Sequence, residues 1–276
     1  MKGNLEVTSG DLVASKTFEA SGNVTVSGAS TFNGKATLSG AQNDLGVVTF
    51  KVAGNKIAQG QTFASDIKLG KDLNLVVGTD PTSALPDGAS AYLVTDKLTL
   101  NDGDLYIDPS YNVASSIVIT NELSNADPAT SKTDAGSLGG SVVALQNSIF
   151  AVGLDTTDKA AALAAVKSEL APLFKANGAL DKDNVGSVAY IAKKITLGAN
   201  DQLVVDSSKS LAAFNNADQA YKDIVTNNDI VLGSNSALAV DGSAFGNNGK
   251  AAITLQDGSN IYAGAGSKVI LLARTQ

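Results

Sequence analysis

The sequence predicts an all-β protein, a parallel β-solenoid carrying a short α-helical insertion. Three observations predict it. A two-strand phrase recurs along the 276 residues. The polar residues are mainly turn formers. One long segment alone breaks the strand rhythm with helical spacing.

The phrase is clearest in KITLGANDQLVVD, where Ile195-x-Leu197 leads to Leu203-x-Val205. It returns as Ile67-x-Leu69 with Leu75-x-Val77, and as Leu98-x-Leu100 with Leu105-x-Ile107. Ile230-x-Leu232 with Leu238-x-Val240 and Ile253-x-Leu255 with Ile261-x-Ala263 complete the set. Alternation within each half gives a short strand with one apolar face. The second strand begins five or six positions after the Leu that closes the first, and the residues between, rich in Gly, Asn, Asp and Ser, read as a turn. One such unit has too little apolar surface to fold alone, whereas stacked units bury a continuous core. The first hundred residues repeat the pattern less regularly, from Leu5-x-Val7 with Leu12-x-Ala14 to Phe50-x-Val52 with Ile57. A longer echo joins AYLVTDKLTLNDGDLYID (91–108) to AYIAKKITLGANDQLVVD (189–206). The competing all-β arrangement is a sandwich. Against it stand the likeness in sequence between the repeats and the scarcity of two-residue hairpin turns. At about 22 residues per coil, a dozen coils spaced about 4.8 Å apart give a rod near 60 Å long.

The break runs from residue 154 to 193. In TTDKAAALAAVKSELAPLFKANG, Thr157 or Asp158 can cap a helix, and Leu163, Val166, Leu170, Leu173 and Phe174 share one face. Pro172 is expected to kink or split it near Glu169, and Gly178 suits its end. A second short helix is expected at Asn216–Val225. The resulting division is solenoid over 1–153, helical insertion over 154–193, and solenoid again over 194–276. The helical face is expected to cover one side of the rod; the rival reading is a subdomain that contacts a partner.

Composition narrows the function. There are 23 Asp against 4 Glu, 19 Lys against one Arg, and a net charge of -7. Asp, Asn and Gly tolerate left-handed turns, while helix-friendly Glu and Arg are scarce. With neither Cys nor His in the chain, thiolate chemistry, Cys metal sites, imidazole triads and His zinc sites are excluded. The acidic balance argues against nucleic acid. No apolar run approaches a transmembrane helix, and the N-terminus, MKGNLEVTSG, does not read as a signal peptide.

What remains for an enzyme is a carboxylate pair. Asp102, Asp104 and Asp108 in NDGDLYIDPS form the densest cluster and could hold Ca²⁺, but the twelve-residue calcium loop and the GGxGxD repeat are absent. We therefore expect no enzyme, no cofactor and no metal. In the second half of each phrase the middle residue should face out. Tyr106 and Tyr262 hold that place, where other copies have Val76, Val204 and Ala239, and they form the candidate contact surface.

The phrases SGNVTVSGASTFNGKATLSG (21–40), KITLGANDQLVVD and AAITLQDGSNIYAGAGSKVILLA resemble the passenger region of bacterial autotransporter adhesins. The resemblance covers most of the chain outside the helical insertion and is one of style. It implies a right-handed parallel β-helix displayed on a Gram-negative cell surface and anchored by a C-terminal membrane β-barrel, of which this chain would be an excised segment. The implied role is a structural or adhesive rod. Its partner is a host or bacterial surface protein or glycan, or a second copy of itself. GNLEVTSGDLVAS and GNVTVSGAS are also similar to tail-fibre repeats, so a phage-type or trimeric adhesin fibre is the alternative. A carbohydrate-active β-helix enzyme stands behind both.

Overall fold

The computed structural model describes the chain except residues 39, 41–42, 52–54, 58–66, 71–73, 78–89, 108–114, 128, 130–131, 146–147, 172–186, 207–222, 242–251 and 273–276. Among the described residues the protein is all-β apart from one helix, Lys159–Glu169. Its strands form sheets of 3, 10, 9 and 4 members. Pairing is parallel from the first strand to the last. Most strands span three to five residues, and alternation sets their burial: Val24–Val26 reads buried, exposed, buried.

The order of strands along the chain resolves the sheets into three positions. Each early tier visits the 3-stranded, then the 10-stranded, then the 9-stranded sheet: Leu5–Val7, Leu12–Ala14, Phe18–Ala20. Each late tier visits the 10-stranded, the 4-stranded and the 9-stranded sheet: Ile224–Thr226, Ile230–Leu232, Ala237–Asp241. Two long strands, Ser90–Thr99 and Ser115–Leu123, make the change. Their second halves carry on the early 10-stranded column, Ile67 pairing with Leu98 and Leu98 with Leu123. Their first halves found the late column, Ile117 pairing with Ile149. The 4-stranded sheet takes over the second position, where the Ser137 N–H donates to the Ser124 carbonyl.

Like residues stack on like along each position. Ile195 lies under Ile230 and Ile230 under Ile261; Leu203 lies under Leu238 and Leu238 under Val269. One apolar column results, buried from Val24 to Val240 among the described residues. Each fully buried Leu, Ile or Phe contributes about 1.5–3 kcal/mol. The phrase therefore repeats because each copy must present the same inward pair to the copies beneath and above it.

The turn between the second and third positions is equally repetitive. In Gly198–Asp201, Gly233–Ser236 and Gly264–Ser267 the third residue is left-handed, with φ of 66° at Asn200, 57° at Asn235 and 71° at Gly266. Asn and Gly bear this geometry at least cost. The fourth residue closes each turn. Asp201 accepts from the Gly198 N–H at 2.8 Å, while the Ser236 and Ser267 hydroxyls donate to the Gly233 and Gly264 carbonyls at 2.9 and 2.8 Å. Backbone bonds join the turns into a ladder, Asn200 N–H to Ser234 O and Asn235 N–H to Ala265 O. Between the third and first positions of the early tiers, a Cβ on Gly22 would overlap the Gly3 carbonyl, and one on Gly40 the Gly22 carbonyl, so neither glycine can carry a side chain without a shift.

The helix begins at Asp158, whose carboxylate accepts from the Ala161 N–H at 3.0 Å. It ends at Glu169, with Leu170 as C-cap, where Pro172 is expected to kink or split it; Gly178 lies outside the described residues. Its Ala162, Val166 and Leu170 lie on the outward side chains of the first position, among them Ile117, Ile119, Ile149, Val188 and Tyr190. The helix is thus a cover for an outward apolar face. Leu163 is partly buried there, and Leu173 and Phe174 lie outside the described residues.

Four expectations need correction. Val188–Ile191, inside the expected helical insertion, is a strand paired with Ser148–Val152. Ile224 and Val225, expected to end a second helix, are strand residues because they stack on Ala189 and Tyr190; residues 216–222 lie outside the described residues. The spacing is not a uniform 22: partners lie 18–19 residues apart in the early tiers and 31–35 apart in late ones. Longer tiers mean fewer of them, and the longest sheet is ten strands deep, roughly 45 Å at about 4.8 Å per strand. Finally, the fifth phrase is one strand out of phase. Ile253 stacks on Ile224 in the first position, and it is Ile261 that continues Ile195 and Ile230. Strand and turn chemistry are alike at every corner, so local pattern alone cannot assign the position.

Candidate functional site

The phase correction separates the two tyrosines singled out from the sequence. Tyr106 stands in the third position, in register with Val76 and Val143. Tyr262 stands in the second, in register with Val231. Both point outward from their strands, but they lie on different faces and do not form one surface. Tyr106 is half-buried, Tyr262 53% exposed.

What each tyrosine does belong to is a column. Tyr106, Val143, Val204, Ala239 and Ile270 follow one another in register along the outer face of the third position. This apolar stripe escapes a reading of the copies one by one. Its signal in the sequence is the apolar middle residue of successive third-position strands, where early tiers carry Glu19, Thr37 and Lys56.

The polar groups gather at the corners. Lys194 Nζ lies 2.7 Å from the Asp134 carboxylate, and this bond, followed by the charge itself, raises the Lys194 pKa. Lys193 Nζ donates to Asn121 Oδ1 at 2.7 Å, and the Thr156 hydroxyl to Asp96 Oδ1 at 2.7 Å. These contacts tie the segment around the helix to tiers 60 and 72 residues earlier. The Thr157 backbone N–H, with its side chain, lowers the Asp155 pKa. Burial raises the Tyr190 phenol, whose oxygen meets the Asn227 amide at 3.1 Å. Burial also raises Asp201, against the opposing pull of the Gly198 N–H and with help from Asp102.

Asp102 sits in a left-handed turn with φ of 62° and Asp104 opens the strand Asp104–Ile107; Asp108 lies outside the described residues. Among the described residues no three His, Cys, Asp or Glu side chains converge as a metal would require. No known family profile, curated protein or solved structure matches the chain.

Proposed function

We propose that the chain is a right-handed parallel β-helix of the kind found in autotransporter passengers, a rod that acts by contact and not by turnover. In this reading it is displayed at a Gram-negative cell surface, held by a membrane barrel belonging to a longer protein. It binds a surface protein or glycan, or a second copy of itself. The observation that carries the reading is the visit to three positions in the same order in the early and in the late tiers, with parallel register and, among the described residues, one buried apolar column. Such an arrangement sets distance and presents side chains at fixed spacing along its outer faces.

Interior strands find both neighbours within the same chain, which favours a single-chain rod over a fibre that needs three chains. Small-angle scattering with light scattering tests both points. An elongated monomer at low concentration supports the rod, and an obligate trimer would overturn it in favour of the fibre. Display of the chain on non-adherent bacteria then tests function: binding to cells or glycans above a barrel-only control is expected.

A further inference from the structure

We infer that the helix Lys159–Glu169 is a strap over a helix-docking face. When it lifts, the outward face of the first position takes an amphipathic helix from a different protein. The inference goes beyond the reading above by naming one face and the class of its partner, and it does not depend on where the rod is displayed.

The first observation is a second core. Thr196, Val231, Val143 and Val204, outward residues of the other two positions, are only half-buried. In the first position of the late tiers the outward residues are apolar and no more than 3% exposed. They stand in two rows along the rod, Ile117, Ile149 and Val188 in one, Ile119, Ala151, Tyr190 and Val225 in the other. Ala151 is the small member between Ile119 and Tyr190, so the second row dips at its middle.

The second observation is independence. Helix and outward face form one apolar cluster, the inner column another, and no residue belongs to both. The strands therefore keep their pairing and their column without the helix. The helix has 11 residues and buries Ala162 and Val166, with Leu170 as its C-cap. A helix of that length is marginal by itself in water, so lifting melts it, and the opening stays local while the rod holds. The segment is pinned on both sides. Before the helix the Thr156 hydroxyl donates to Asp96 at 2.7 Å, and after it Val188–Ile191 joins the sheet. A strap held at both ends returns to its place.

The third observation is the resident itself, which defines the visitor. Ala162, Val166 and Leu170 lie four residues apart and meet the face, while Ala161, Ala164, Ser168 and Glu169 are exposed. The face thus accepts a helix through one apolar stripe. A second copy brings only the same helix, and the tethered one outcompetes it through its effective concentration. The visitor must therefore offer more apolar surface at these three places than Ala, Val and Leu do. The resident helix is an autoinhibitory contact: it shields the face and yields only to a stronger helix.

The test uses a fluorescent synthetic peptide of residues 155–170, followed by anisotropy. On the parent chain it competes with its tethered equal; on Val166→Asp it meets an uncovered face. We expect it to bind the variant about tenfold or more tighter than the parent, and a peptide carrying Val166→Asp to bind neither. In hydrogen exchange of the parent, the amides of Lys159–Glu169 should exchange about a hundredfold faster than those of Ser148–Val152 and Val188–Ile191. A strand-rich variant that binds the peptide no better than the parent, or helix amides that exchange as slowly as the strands, overturns the strap. So does a variant that loses its strand signal, since the helix is then part of the core. Parent dimers that the peptide dissolves would give the face to a second copy and overturn the assignment to a different protein. The rod reading above survives all of these outcomes and stands or falls on the scattering test.

Discussion

The rings of Phe32 and Phe50 stack at a centroid distance of 5.3 Å and 17° from parallel, on strands whose residues pair in register. Phe18 tilts against Phe32 at 5.4 Å and 58°. Both Phe32 and Phe50 are fully buried, and they fill two successive early tiers. Phe32→Ala should lower stability by about 3–5 kcal/mol, read as a shift of the urea midpoint by circular dichroism. A shift below about 1 kcal/mol would mean that the early tiers collapse to fill the hole.

The helical cover gives the second prediction. Val166 is fully buried against the outer face of the first position. Val166→Asp places an unpaired carboxylate there and should detach the helix at a loss of roughly 2–4 kcal/mol. Binding of a hydrophobic dye should rise, because Ile117, Ile119 and Ile149 are uncovered. The strand signal should persist, since the inner column does not involve the helix. Unchanged dye binding would refute the role of cover.

Asp201 supplies a pH prediction. Its pKa is raised above the ordinary 3.8, first by burial. The folded chain then holds the proton more tightly than the unfolded chain does. The resulting penalty is absent below pH 3.8, grows as pH rises through the raised value, and is complete above it. Asp201→Asn keeps an oxygen for the Gly198 N–H and removes the charge. It should be more stable than the parent at pH 7, with the two converging in acid. Parallel stability profiles from pH 3 to 7 would sink this account.

Lys194 gives the opposite sign. Its pKa is raised above 10.5 by the hydrogen bond to Asp134, so the pair's contribution is whole below that value and lost as pH rises through the raised one. Because the ammonium is well exposed, the effect is small and sensitive to salt. Lys194→Met should cost a small, constant amount of stability between pH 6 and 9, and the gap to the parent should close in strong alkali. A gap that widens there would contradict the pair.

Much of this architecture was legible in particular residues. The alternation in Ile195-x-Leu197 and Leu203-x-Val205 specified strands, and the repetition of that pair specified stacking, because inward residues must match across tiers. Thr157 or Asp158 as a cap bounded the start of the helix, and Pro172 marked a break near its end at Glu169. What could not be read was position. Ile253-x-Leu255 and Ile230-x-Leu232 are equivalent as local patterns, and only their partners, Ile224 in one case and Ile195 in the other, place them on different faces. The tyrosines inherited that ambiguity. The stripe from Tyr106 to Ile270 is likewise a property of register and not of any one segment. Ile224 and Val225 were drawn to a helix by the residues before them, and burial against Ala189 and Tyr190 decided otherwise.

The ladder of turns after Leu197, Leu232 and Ala263 keeps the same length each time, because every step hydrogen-bonds to the step above it. The interval from the third position back to the first is under no such rule: it separates Ala144 from Ser148, but Asp206 from Ile224 and Asp241 from Ile253. Across these three tiers the change in chain length falls at one edge of the molecule. That edge is where a lineage can add or shed sequence without disturbing the stack, and where a foreign peptide could be spliced between Asp241 and Ile253 for display.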